Sequence, residues 1–185
     1  LGECNRLDAD LCSTATTVDP TTGLTGTISW GDYRDDYNPG LGGCVPADGA
    51  GTLPVDGPDI TYTIDVPANS AVTVDLTANG NDVSLYLVPD CVDVPASCQV
   101  GVNAGADADE LLFWANTTGA AQTVFVIADA AQAMSYTDSS IDISVDAIIC
   151  TPGAAQCTTD LNGDPASELC NAFGTGYDDP ETCLY

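Results

Sequence analysis

The clearest periodicity in the chain runs from Asp59 to Asp90. Ile60, Tyr62, Ile64 and Val66 alternate with Thr61, Thr63 and Asp65, and Val72, Val74 and Leu76 repeat the pattern against Thr73, Asp75 and Thr77. This is the period of a strand with one buried face. Val83 to Val88 is apolar on both faces apart from Ser84, as in a fully buried strand. The three runs predict consecutive strands that start a sheet. Leu24, Gly26, Ile28 and Trp30 form an earlier alternating strand. Later ones are expected at Gln99 to Val102, Leu111 to Ala115, Val124 to Ala128 and Ile141 to Ile149, the last with Asp142, Ser144 and Asp146 outward. The expected fold is all-β, an immunoglobulin-like or jelly-roll sandwich of about eight strands.

Three stretches lack this periodicity. Residues 1–21 have no clean apolar face, although Leu7 and Leu11 share one side of a short helical turn, and they read as an arm with an extended, Thr-rich end. Residues 31–57 are dense in Gly, Pro and Asp and form a long loop. Residues 150–185 hold four cysteines and form a disulfide-stapled tail, with a short helix expected from Pro165 to Ala172 capped by Asp164. The expected divisions are an arm at 1–21, a sandwich at 22–149 and the tail at 150–185.

Charge narrows the function. Twenty-eight acidic residues face only Arg6 and Arg34, with no lysine or histidine, for a net charge of −26. Such a chain repels nucleic acid and anionic lipid. Three explanations stand: a highly soluble surface, a halophile-like surface, or divalent cations that offset the repulsion. Without histidine or lysine the usual triads and dyads of nucleophilic catalysis are not available, so a non-enzyme is expected. No run of 18 apolar residues occurs, so no membrane-spanning segment is expected. The start at Leu1, without a leader, is read as a mature form or a fragment. Nine cysteines with no C-x-x-C motif indicate disulfides in an oxidising, extracellular or cell-surface setting. Cys91 and Cys98, close together between two strands, are the expected pair, and the odd total leaves a thiol or an interchain bridge.

Candidate sites are few. Asp32, Asp35, Asp36 and Asn38 lie in the long loop and form a candidate group for a hard cation such as calcium beside Asp56 or Asp59. Asp160, Asn162 and Asp164 begin like an EF-hand loop, but Pro165 and Asn171 break the motif, and a turn capping the following helix explains them better. Asn116-Thr117-Thr118 is a glycosylation sequon in a turn. Trp30 and Trp114 fit either a sugar-stacking platform or the core, and the core is favoured because each ends an alternating strand.

GTISWGDYRDDYNPGLGGC, DGPDITYTIDVP, NDVSLYLVPDC and FVIADA follow one another over roughly residues 23–149. In this order they resemble the bacterial pre-peptidase C-terminal type of β-sandwich. Asp59, Tyr62 and Ile64 match its D-x-x-Y-x-[FI] strand, and Asp82, Leu85, Tyr86, Leu87 and Cys91 match its D-x-x-L-Y-[LV] strand. The resemblance implies a secreted accessory module of exported enzymes that sometimes binds calcium or an insoluble substrate. This chain differs in having no attached catalytic domain and in its cysteine-rich flanks. Those differences lead to a first expectation, a subunit of an extracellular, pilus-like fibre that polymerises with copies of itself. Leu24, Gly26, Ile28 and Trp30 would form the donated strand, and Tyr62, Ile64, Leu85 and Leu87 the acceptor groove. The alternative is an accessory module that binds calcium, carbohydrate or a protein substrate.

Overall fold

The computed structural model describes residues 9–39, 44, 53, 55–131, 135–150, 154–159, 165–177 and 181–182. Two sheets face each other across a core. The first has the order β1 (Thr16–Val18), β3 (Asp59–Val66), β8 (Gln122–Ala130), β5 (Val83–Val88) and β6 (Val100–Val102). The second has the order β2 (Leu24–Ile28), β9 (Ser139–Ala147), β4 (Ser70–Thr77) and β7 (Glu110–Asn116). All pairings within them are antiparallel except β1 with β3, which is parallel. The protein is therefore an all-β sandwich. Inward-facing Ile60, Tyr62, Ile64, Leu85, Leu87 and Val126 of the first sheet meet Ile28, Val72, Val74, Leu112, Ile141 and Ile143 of the second.

The alternating runs are all strands, but β3, β4 and β5 do not form one sheet as expected. The three-residue turn after Val66, with Asn69 at φ 54°, carries the chain across the sandwich, and β8 separates β3 from β5. Each of these strands has an apolar row, and stacking the rows face to face buries them more completely than pairing neighbours in one layer.

Part of the first sheet is buried on both faces, although Asp65 and Thr123 on its outer face remain exposed. Its outer face carries a second cluster in which Tyr86, Val88 and Ile127 pack with Cys44, Leu53, Val55 and Val94. The described parts of the long loop and the short helix α1 (Val94–Ser97) supply this cover. Alternation puts Thr61 on the polar face of its strand, yet Thr61 and Asp59 are both fully buried.

Two corrections concern the flanks. The segment expected as a helix from Pro165 to Ala172 is instead β11 (Pro165–Leu169), between β10 (Ala155–Thr159) and β12 (Glu181–Thr182). Pro165 occupies the first strand position, where a missing N–H is tolerated. Cys150–Cys170 closes this small sheet onto the end of β9. The second correction is in the disulfides: Cys91 pairs with Cys12 and Cys98 with Cys44, not with each other. Between the two cysteines, Asp93 caps α1 by accepting from the Ala96 N–H. The chain then enters β6, where the Cys44 side chain lies against Gly101. The three disulfides among the described residues indicate folding in an oxidising compartment. Among the described residues no helix is long and apolar enough to cross a membrane.

Candidate carboxylate site under the long loop

Asp59 opens β3 and lies directly opposite Asp129 near the end of β8, which in turn lies opposite Ser84 on β5. The next row is Thr61, Ile127 and Tyr86. Both aspartates point to the outer face of the sheet, and the described start of the long loop covers them. Asp59 Oδ2 accepts the backbone N–H groups of Asp36 and Tyr37, at 2.7 and 2.8 Å. The Asp59 N–H donates to the Arg34 carbonyl at 2.8 Å. Asp129 Oδ2 accepts the Tyr86 hydroxyl at 3.1 Å. The other oxygen of each aspartate, and the Thr61 hydroxyl, have no hydrogen-bond partner although they are buried. At Gly57 a Cβ would collide with the Ala130 carbonyl, so glycine lets the returning loop lie against the end of β8.

Leaving a buried acceptor unpaired costs about 1–3 kcal/mol, and two buried like charges cost more. The titration behaviour shows the same strain. Burial pushes Asp59 up to about 7, against the lowering effect of the Asp36 and Tyr37 N–H groups, and Asp36 and Asp35 raise it further. Burial and then the Asp59 charge push Asp129 up to about 10, with Asp35 and Asp56 adding to the effect. Tyr86 is raised well above its ordinary value by burial and by Asp129. Burial raises Asp35, and so do the charges of Asp56 and Asp36. An all-oxygen group of this kind accommodates either protons or a hard cation.

Of the loop acids offered as cation ligands, some lie close together. Asp35, Asp36, Asp56 and Asp59 share one electrostatic neighbourhood, whereas exposed Asp32 acts on Tyr33 instead. Asp160, Asn162 and Asp164 lie outside the described residues. Among the described residues no three Asp, Glu, Cys or His side chains already converge as a ready metal-binding group. The cluster therefore consists of a buried pair with more acids near it. The sequence reading missed Asp129; its one signal was a charge in the otherwise apolar run VFVIADA.

The expected donor strand sits in its own molecule. Leu24, Gly26 and Ile28 pair with Ile143, Ile141 and Ser139 of β9. Trp30 is buried, and its indole N–H donates to Ser139 Oγ at 2.9 Å. Tyr62, Ile64, Leu85 and Leu87 do not pair with this strand; they belong to the opposite sheet and meet it through the core, so β9 is the strand that receives β2. The Cys12–Cys91 and Cys44–Cys98 bridges anchor the chain on both sides of β2. The sequon residue Asn116 is fully buried, and its Nδ2 donates to the Val66, Pro67 and Ala120 carbonyls. That nitrogen is the atom a glycan would need, so the folded chain does not offer Asn116 for glycosylation.

Fold and site define a disulfide-anchored β-sandwich with a carboxylate pair sealed beneath a loop. No family model and no curated protein matches the chain.

Proposed function

We propose that this protein is a secreted, non-enzymatic binding module of the pre-peptidase C-terminal type, with an immunoglobulin-like or jelly-roll sandwich. In this reading the loop over Asp59 and Asp129 closes on a hard divalent cation, calcium in an extracellular setting. The observation that carries it is the facing pair of buried aspartates, each with an oxygen lacking a partner. A divalent cation neutralises both carboxylates and fills the empty acceptor positions, with the Thr61 oxygen, backbone carbonyls or water completing the shell. The acidic loop then gathers cation locally, and binding stiffens its described start at residues 33–39 against its return at 55–58. Disulfides and a large negative charge support a role outside the cell.

Calorimetric titration of the chelator-treated protein with calcium chloride tests this. Binding is expected with a rise in melting temperature, and calcium at a hundredfold over Kd stabilises by about 2.7 kcal/mol. Asp129→Asn is expected to abolish both effects while remaining folded. Absence of heat and of a melting shift at millimolar calcium would rule out the cation site.

Self-assembly by donation of Leu24–Trp30 is the second reading, favoured by the place of β2 at a sheet edge, paired among the described residues with β9 alone. Because both flanks of that strand are anchored by disulfides, donation requires Cys12–Cys91 to open first. Fibres seen by electron microscopy only after reduction would support it, and dispersed particles in both redox states would remove it.

A further inference from the structure

The two tryptophans have different surroundings. Trp30 is sealed in the core with its N–H satisfied, whereas Trp114 is only partly buried. Trp114 sits on edge strand β7, opposite Val72, with its side chain turned toward the interior. β6 is short, and its pairing with β5 ends at Leu87 opposite Val100. A cavity of about 370 Å³ opens there, lined by Trp114 with Pro89, Gln99, Gln122 and Thr123. It bridges the two sheets at one end of the sandwich. The Trp114 indole N–H donates to nothing among the described residues.

We propose that this cavity binds a neutral sugar, as a subsite for one or two residues of a polysaccharide chain. An indole face is electron-rich, and the axial C–H groups of a pyranose carry partial positive charge, so the two stack favourably. A sugar ring also presents hydroxyls around its rim that both donate and accept. Gln122 offers two donors and an acceptor oxygen, Gln99 an acceptor oxygen and its second N–H, and the indole supplies one more N–H, whereas the Thr123 hydroxyl is already donated to Asp65 Oδ1 at 2.6 Å. Gln99 is already oriented by its bond to the Ser97 carbonyl, at 3.1 Å, which leaves its oxygen available. The volume is at the small end of ligand sites, which begin near ~300 Å³, and suits a sugar unit rather than a folded partner. The net charge of −26 selects against uronates and sulfated sugars. This inference supplies a ligand class for the binding-module reading, but its residues are separate from Asp59 and Asp129, so either proposal stands or falls without the other.

Tryptophan fluorescence of the intact protein tests it with tetrasaccharides of cellulose, xylan and chitin, alongside pull-down on the insoluble polymers. Because Trp30 is only 1% exposed, acrylamide quenching reports Trp114. A neutral oligosaccharide is expected to protect Trp114 from the quencher, with or without calcium, and a sulfated or uronic acid oligomer is not. Trp114→Ala is expected to weaken binding at least about tenfold, and Trp114→Tyr to restore part of it. Gln122→Ala, at a half-buried position, should weaken binding without unfolding the protein. The proposal is overturned if none of the neutral oligosaccharides or polymers protects Trp114 at millimolar concentration. It is equally overturned if binding survives Trp114→Ala in a protein whose melting curve is unchanged.

Discussion

Replacing Asp59 by Asn in the cation-free protein should make it more stable at neutral pH, the opposite of what most buried substitutions do. The asparagine oxygen can still accept from the Asp36 and Tyr37 N–H groups, while the charge facing Asp129 is removed. The magnitude follows from proton linkage. Asp59 titrates near 3.8 when unfolded and at about 7 when folded, so between those values the native state holds a proton that the unfolded state has lost. Its contribution is intact below about pH 4, declines as pH rises toward 7, and is then fully lost, a total of about 4 kcal/mol at ~1.4 kcal/mol per pH unit. Asp129, raised to about 10, extends the decline into alkaline solution. The assay is urea unfolding followed by the fluorescence of buried Trp30, in chelator and at constant ionic strength, for both proteins from pH 4 to pH 8. General repulsion among 28 acids also varies with pH, so the informative quantity is the difference between the two proteins. That difference should be small at pH 4 and should favour Asp59→Asn by several kcal/mol at pH 8. A difference that is flat across the range, or that favours the wild type at pH 8, would refute the argument. Saturating calcium should reverse the order, because only the carboxylate attracts the cation.

Other outcomes test the frame around the site. Proteolytic mapping without reductant should yield linked peptides containing Cys12 with Cys91 and Cys44 with Cys98, and none joining Cys91 to Cys98 alone. Cys91→Ser with Cys12→Ser opens a loop with a sequence separation of 79 and should cost about 4.5 kcal/mol on the chain-entropy model, read as a lower urea midpoint. Ile28→Ala, at a fully buried core position, should destabilise by about 2–5 kcal/mol in the same assay. Asn116→Ala removes the side-chain donor to the Val66 and Pro67 carbonyls, while Ala120 keeps the Thr118 hydroxyl, and should cost about 2 kcal/mol; protein made in a glycosylating host should keep its electrophoretic mobility after N-glycan removal.

Strand positions were readable because alternation is a local signal: Ile60 to Val66 and Ile141 to Val145 carry their burial in their own spacing. Which strands pair was not readable, because Val72 is equally suited to a neighbour of β3 or to a partner across the core. The second cluster was hidden for a related reason. A loop rich in Gly and Asp gives no periodic sign that it covers a sheet, so the burial of Thr61 and Asp59 was not legible. The acidic loop was recognisable as a candidate site, but Asp129 is 70 residues away from Asp59 and only the β3–β8 register brings them together. Nearness in sequence also misled the disulfide assignment, since the Asp93-capped turn directs Cys91 and Cys98 to different partners. Asn116 matches a sequon, yet it works as an internal clamp between turns.

The Cys12–Cys91 bridge also sets how the protein bears tension. A pull on the chain before Cys12 passes through the disulfide to Cys91 at the end of β5 and bypasses everything between them. Strands β1 to β5, the loop and Asp59 all lie inside this covalent ring and remain unstretched. With Cys150–Cys170 shielding the next segment, the length released by force comes mainly from residues 92–149. Asp59 lies inside the ring and Asp129 in the extensible part, so the two walls of the carboxylate site would be drawn apart by load. A single-molecule extension trace should therefore lengthen on reduction, and the force at which β8 leaves β3 should rise when calcium joins them.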